Sequence, residues 1–378
     1  MNKFIYLDYC ATTPTDPMVM KAMQPFFSEH FGNSASQLHP YGWEASTAVE
    51  KARKQVALGL KCAPQEIYFT SGATESNNWA IIGLVEHCLS EAPGQPIHII
   101  SAKTEHNSIL GILSYLKKSR NIEVDFLPVN SAGMVTVDQV QKSIKPHTKL
   151  ISLMWVNNEL GSIHPISEIS SLARQHKIYF HSDATQAVGK IPIDLQEAKI
   201  DLLSLSGHKI YGPKGVGALF IRKQDPVVSI HPLFHGGGQE KGLRSGTVNV
   251  PGVVGLGQAM ENLHHSMTDD LNLIKNLRER ILTSWQKADL QFRINGEGIP
   301  HILNVTFLSP PKKGLGFPGI AFSKGSACHS DSQDPSHVLS ALGIPAAEAV
   351  NTFRFSLGRT TTAEEIEQFL KIVTSKFT

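Results

Sequence analysis

Between about residues 66 and 222, short runs rich in apolar, β-branched and aromatic residues alternate with stretches of helical periodicity. The runs fall at 66–70, 96–101, 122–127, 150–156, 178–181, 201–206 and 216–221. That alternation predicts an α/β fold, a mostly parallel seven-stranded sheet with helices on both faces. Runs such as ISLMWV, apolar at consecutive positions, predict strands covered on both sides. Ahead of the first strand, 41–60 place Ala45, Ala48, Val49, Ala52 and Val56 at helical spacing, with Glu50, Lys51, Arg53 and Lys54 mostly opposite. A long helical pattern follows Pro251 and runs to about 287. Beyond it, strands are predicted at 290–295, 301–307 and 351–357, and helices at 334–343 and 362–376. The expected layout is a large domain over 1–250, a connecting helix over 251–287 and a smaller α+β domain over 288–378. Residues 1–20 are expected to pack with the smaller domain. The Pro/Gly cluster at 310–319, PPKKGLGFPG, cannot be helical and is read as a surface loop.

Composition narrows the classes. The chain has 378 residues, 41% of them hydrophobic, enough to bury one large core or two modest ones. Thirty-five basic against thirty-three acidic side chains leave a net charge of +2, so no charge excess steers it to nucleic acid or a lipid surface. No apolar run approaches the roughly 18 residues of a membrane span, and no secretory segment is visible at MNKFIYLDYC, so a cytoplasmic location is expected. The four cysteines form no C-x-x-C pair, so neither a metal site nor a disulfide framework is expected. Cys88, in an apolar helical stretch, reads as a small core residue.

Three motifs carry candidate chemistry. In SLSGHKIYGPKGVG a strand stops at Ser206-Gly207-His208-Lys209, which holds a lysine at the open end of a sheet, where α/β proteins keep their ligands. In IYFHSDATQAVG, Asp183 ends another strand, with Gln186 three residues on; an aspartate there can bind Mg²⁺, cap a helix or hold a pyridinium nitrogen. In FTSGATESNN a strand runs into Ser71-Gly72-Ala73-Thr74 and then a helix, whose amides and dipole suit a phosphate. The competing reading of that motif is a capping box built on Thr74 with Asn77 and Asn78. A phosphate cradle, a strand-end acid and a strand-end amine together are what pyridoxal 5'-phosphate needs.

The ordered series SGATESNN, TEHNS, VNNELGS, HSDATQAVGK, SLSGHKIYGPKGVG, RSGTVNV, GSACHS and RFSLGR resembles the NifS/IscS-type cysteine desulfurases. These are fold-type I, class V aminotransferase-like enzymes, and the likeness runs from YLDYCATTP at 6–14 to the last helix. The resemblance implies that Lys209 forms the Schiff base with pyridoxal phosphate, Asp183 partners the pyridine nitrogen and Gln186 partners the phenolic oxygen. It implies that His106 stacks on the ring and moves protons, and that Ala73, Thr74, Ser206 and His208 hold the phosphate. Thr247 corresponds to a ligand from the other subunit, so a homodimer is implied. Asn158 and Arg354 match the groups that hold the substrate carboxylate, and Asn158 also borders the cofactor. Cys328 matches the nucleophile. In such chemistry an electron sink lets the amino acid lose its α-proton to Lys209, and a thiolate then attacks Sγ of L-cysteine, leaving a persulfide and alanine. Arg354 suits a planar carboxylate in a way that a lysine does not.

Rival readings are weaker. FHGGGQE at 234–240 looks like an esterase oxyanion hole, but no G-x-S-x-G elbow is present, and neither is a P-loop. A catalytically silent interaction protein is opposed by the intact Lys209, Asp183, His106 and Cys328. Within the fold, a selenocysteine lyase or an aminotransferase-like enzyme is the alternative, and Cys328 favours desulfuration. The chain departs from the family pattern in PPKKGLGFPG, where a helix is usual, and in stopping soon after its last helix. The second departure weakens the case for iron-sulfur cluster assembly and sets beside it a dedicated donor for tRNA thiolation or DNA phosphorothioation. Any sulfur acceptor is expected to be a protein, and any nucleic acid to be met through that partner.

Overall fold

The protein is described by a computed structural model that covers residues 4–309, 311, 316–324 and 336–377. Its large sheet contains β2 (Ile67–Thr70), β3 (His98–Ala102), β4 (Glu123–Leu127), β5 (Thr148–Ser152), β6 (Tyr179–Asp183), β7 (Leu202–Ser206) and β8 (Gly217–Ile221), while β1 (Ile5–Tyr6) lies elsewhere. The spatial order is β2-β8-β7-β6-β5-β3-β4. All neighbours are parallel except β8, which runs antiparallel to β2 and β7. The seven β-rich runs of the sequence therefore all become strands, with ends shifted by at most four residues.

Side-chain alternation shows why the sheet is buried on both faces. Ile99, Leu150, Leu202 and Leu219 enter one apolar cluster, and their neighbours Ile100, Ile151, Leu203 and Phe220 enter the other. The first cluster includes Trp79, Leu84 and Leu113 from α4 (Ala73–Glu91) and α5 (Asn107–Ser119). Cys88 packs at its edge. The second is built on α3 (Pro40–Leu60), α7 (Ile166–Gln175) and the first half of α8 (Val250–Lys287). Four further short or peripheral helices are α1 (Pro17–Met23), α2 (Pro25–Ser28), α6 (Val137–Ser143) and α9 (His337–Ala341).

Helix α3 starts at Pro40 with the His39 ring capping the Gly42 amide, and it buries Ala45, Val49, Ala52, Val56 and Leu60 at helical spacing. Helix α8 begins likewise, with Asn249 capping Gly252 and Pro251 in the first turn. At about 1.5 Å per residue it is roughly 57 Å long. It joins two cores: Val253, Leu256 and Met260 belong to the large cluster, whereas Ile274, Leu277, Ile281 and Trp285 belong to a third. Helices α3 and α8 approach closely because Gly257 lacks a side chain; a Cβ there would sit 2.7 Å from Ala52 Cα.

The third core covers an antiparallel sheet in the order β12 (Thr352–Ser356), β10 (Ile302–Phe307), β9 (Phe292–Ile294). Phe353, Phe355 and Phe369 fill it, the last from α11 (Ala363–Phe377), which follows α10 (Ala346–Ala349). The N-terminal strand joins this unit: β1 pairs parallel with β11 (Ile320–Ala321), and Ile5 and Leu7 enter the same core. From there the chain crosses to the large sheet. Thr13 N–H and Oγ1 both donate to the His208 carbonyl at 3.0 Å, and Asp16 N–H donates to Tyr211 O. Among the described residues no helix is long and apolar enough to cross a membrane. Half of the 310–319 cluster (310 and 312–315) and the Cys328 segment lie outside the described residues.

Candidate active site

A cavity of about 490 Å³ opens at the carboxyl ends of the parallel strands. Its lining draws on the ends of β2, β6 and β7, the segments after β3 and β5, and the N-terminal crossing. Ala73, Thr74, His106, Asn158, Asp183, Gln186, Ser206, His208, Lys209 and Arg354 all border it. Ten of the twelve residues singled out in the sequence are thus brought together. Thr247 is exposed and is not among the residues lining this chain's cavity. Cys328 lies outside the described residues.

Lys209 closes a short 3₁₀ turn after β7, and its Nζ donates to the carbonyls of Cys10 and Ala11 at 2.6 and 2.7 Å. Burial pulls its pKa from 10.5 down to about 8, with the positive charge of Lys190 acting in the same direction. The amine is therefore far more available as a base or nucleophile than an ordinary lysine.

Asp183 ends β6 and is nearly buried. Its Oδ1 accepts the Thr185 amide at 2.9 Å and its Oδ2 accepts Asn77 Nδ2 at 2.8 Å. The same Asn77 nitrogen donates to Ser108 Oγ at 2.9 Å, and Ser108 Oγ lies 2.9 Å from His106 Nδ1. His106 is the N-cap of α5 and accepts the Ser108 amide on Nδ1, so a neutral ring carries its proton on Nε2. Burial lowers its pKa, against the pull of Asp183. His208 is pushed to about 4 by burial and by neighbouring lysines, so near neutral pH it is an uncharged hydrogen-bonding group.

The competing capping box at Thr74 does not form. Gly72, at φ +149°, is the N-cap of α4 and supplies no side-chain bond; Thr74 lies inside the first turn, where its carbonyl accepts Asn78 Nδ2. The uncapped first turn faces an opening that Ala73, Thr74, Ser206 and His208 border, which is the setting of an anion site. Thr185, whose amide donates to Asp183, also borders the cavity, and its Oγ1 is buried without a partner.

At the other end of the cavity Arg354 stands on β12 and is 1% exposed. Its Nη2 donates to Asp8 Oδ1 at 2.9 Å and its Nη1 to the Asn158 carbonyl at 2.8 Å, while Nε is buried without a partner. Asp8 is held in turn by Ser323 Oγ at 3.0 Å. Arg354 thus forms an ion pair with Asp8, but the arginine is buried and borders the cavity.

Sequence reasoning missed Asp8, Cys10 and Ala11, which act on the site from the N-terminal crossing, and Asn77, Ser108 and Thr185, which support Asp183. Cys10 and Ala11 contribute main-chain carbonyls, for which side-chain identity carries no signal. Asn77 had one, a polar residue on the buried face of an amphipathic helix.

A strand-end lysine and acid facing an uncapped helix N-terminus define a pyridoxal-phosphate site on a fold-type I scaffold. The chain belongs to the Aminotransferase class-V family, whose pattern it matches over residues 5–369. It is 48% identical to the mitosomal cysteine desulfurase of Encephalitozoon cuniculi over 97% of this chain and 85% of that one. It is 45% identical to the mitochondrial cysteine desulfurase of Arthroderma benhamiae, over 100% of this chain and 75% of the relative. Among solved structures it is similar to a NifS-like protein at 35% identity, with a TM-score of 0.88 and 98% of each chain covered. The cytoplasmic expectation, which rested on the missing membrane span and secretory segment, is overturned by relatives that are mitochondrial and mitosomal enzymes.

Proposed function

We propose that the chain converts L-cysteine to L-alanine as a pyridoxal-phosphate-dependent cysteine desulfurase and retains the sulfur as a persulfide on Cys328. The observation that carries this reading is the set of Lys209, Asp183, His106 and Arg354 around one cavity, in a chain 43–48% identical to several named cysteine desulfurases. The residues fit the cofactor: an amine tuned by burial, an acid with both oxygens fixed, an uncapped helix start and an unpartnered Thr185 hydroxyl. Ala73, Thr74, Ser206 and His208 hold its phosphate, Asp183 its ring nitrogen, Gln186 its phenolic oxygen and His106 its ring face. Thr247 serves the site of a second subunit.

When bound, pyridoxal phosphate supplies an electron sink that acidifies the α-C–H of the amino acid. Arg354 and Asn158 orient the substrate through its carboxylate, and the positive Arg354 end sets which end of cysteine enters first. Lys209 Nζ, deprotonated near neutral pH more readily than a free lysine, takes the α-proton and later returns one to carbon. His106, whose neutral ring carries its proton on Nε2 and which borders the cavity, would move a proton for the bound cysteine. The Cys328 thiolate attacks substrate Sγ; an S–S bond forms, the Cβ–Sγ bond breaks with its electron pair going to carbon, and a proton completes alanine. The persulfide sulfur is then passed to an acceptor protein.

Incubation of the purified protein with L-cysteine tests this, with alanine and sulfide assayed together in the presence of a thiol. Both products are expected in equal amounts, and Cys328→Ala is expected to abolish sulfide release. Full activity in that variant overturns the persulfide route. The homodimer is tested by sedimentation of the active protein, and a fully active monomer overturns it.

A further inference from the structure

A second lysine stands beside the cofactor pocket and takes no part in the chemistry above. Lys190 lies in the turn after β6, seven residues beyond Asp183. Its Nζ donates to Gln186 Oε1 at 2.9 Å, while Gln186 Nε2 donates to the Cys10 carbonyl at 3.0 Å. The Gln186 side chain is 4% exposed and borders the cavity. An ammonium only donates and a carbonyl only accepts, so an amide held between them has one orientation instead of two. The Gln186 nitrogen edge, with one further N–H, is the edge directed away from Lys190.

The charge around Lys190 is one-sided. The groups that interact with it electrostatically are the Cys10 thiol, Lys209, His208 and His301, and no carboxylate pairs with it among the described residues. A largely buried ammonium without an acid nearby is costly unless something anionic arrives. The cofactor's phenolic oxygen, read above as the partner of Gln186, is such a group.

We propose that Lys190 is a positioning residue for the cofactor: it locks the Gln186 amide as a donor and sets a positive charge behind it, so the pocket favours an anionic ring oxygen. The inference rests on the pyridoxal-phosphate reading of the site. It also gives Lys190 a second effect, since its charge disfavours protonation of the Lys209 nitrogen.

The test uses the full-length protein loaded with pyridoxal phosphate, in wild-type, Lys190→Met and Lys190→Arg forms. Two quantities are read: the pH midpoint at which the visible absorbance of the bound cofactor titrates, and the rate of cofactor release. Removal of a nearby positive charge favours the protonated form, so Lys190→Met is expected to raise the midpoint by about one pH unit. Loss of the lock on Gln186 is expected to speed release about tenfold, and Lys190→Arg to restore most of both. In a Gln186→Leu background the release effect of Lys190→Met is expected to fall below about twofold, because the residue acts through Gln186. A folded Lys190→Met protein with unchanged midpoint and release rate overturns the inference. Should Lys190→Met fail to fold, Lys190→Gln replaces it: a raised midpoint supports the inference and an unchanged one overturns it. A wild-type protein that takes up no pyridoxal phosphate overturns the cofactor reading and this inference with it, whereas a normal wild-type titration with unaltered variants overturns this inference alone.

Discussion

The two ends of the cavity are built differently. The cofactor end is made of residues that sit where strands stop: Asp183 at the end of β6, Ser206 and Lys209 at and just beyond the end of β7, and Ala73 opening the helix after β2. Each is placed by its own strand: β6 and β7 are parallel neighbours, and β2 joins them through β8, antiparallel to both β2 and β7, so all three end on the same side. The substrate end joins three distant pieces of chain, Asp8 on the N-terminal crossing, Asn158 after β5 and Arg354 on β12. Its arginine belongs to the smaller sheet and reaches the cavity only because β1 and α8 tie that sheet to the large one. One end therefore depends on local geometry within a rigid sheet, and the other on docking. Substitutions at the first should alter chemistry, and those at the second should alter binding.

Lys209→Ala is the sharpest probe of the cofactor end. Turnover is expected to fall by about 10³-fold or more in single-turnover assays, with the fold unchanged by circular dichroism. Arg354→Ala should instead raise KM for L-cysteine about 100-fold with a smaller change in kcat, as expected for lost charge-assisted hydrogen bonds. Arg354→Lys should not restore KM, because a point charge replaces the planar fork. If Arg354→Ala lowered kcat alone, the division between chemistry and docking would fail.

Asn77→Ala removes one donor from Asp183 and one from Ser108, so kcat is expected to drop about tenfold with KM little changed. In the cofactor-free protein, capture of pyridoxal phosphate should rise about tenfold per pH unit while Lys209 is mostly protonated and level off above about 8. The depressed pKa also makes the sign of the stability effect definite. Between about 8 and 10.5 the unfolded lysine binds more proton than the folded one, so this group's contribution to stability rises with pH across that window. Stopped-flow absorbance and pH-dependent urea melts check the two statements. The smallest effect on function is expected from Gly257→Val, which forces apart α3 and α8. Stability should fall by about 2 kcal/mol with kcat unchanged, as measured by thermal melts and steady-state assays.

The strands of the large sheet were legible because burial on both faces writes itself as short, consecutively apolar runs, and the strand-end acid and lysine were legible because they interrupt those runs. At the start of α4 the competing capping-box reading fails. Thr74 is a good capping residue by type, yet Gly72 takes the cap position because its backbone lies at φ +149°, where side chains are disfavoured. The supports of Asp183 were only partly legible: Asn77 stood out as a polar residue on a buried helix face, but nothing in the spacing of Asn77 and Ser108 says that two helices meet there. The cytoplasmic expectation failed for a related reason: a missing secretory segment says nothing about which organelle takes up a protein.

By itself the sequence determined the alternation of strands and helices, the long connecting helix, and the residue types at the strand ends, because each is set by periodicity and by where apolar runs stop. Only the tertiary structure decided that the backbone carbonyls of Cys10 and Ala11 receive the Lys209 amine, that Lys190 grips Gln186, and that Asp8 meets Arg354 at one end of the cavity. The physical reason is range. Hydrogen bonding and burial along one element act over a few residues, whereas these contacts join segments as much as about 350 positions apart, or lock a side chain between two such segments, and they exist only after both cores have formed.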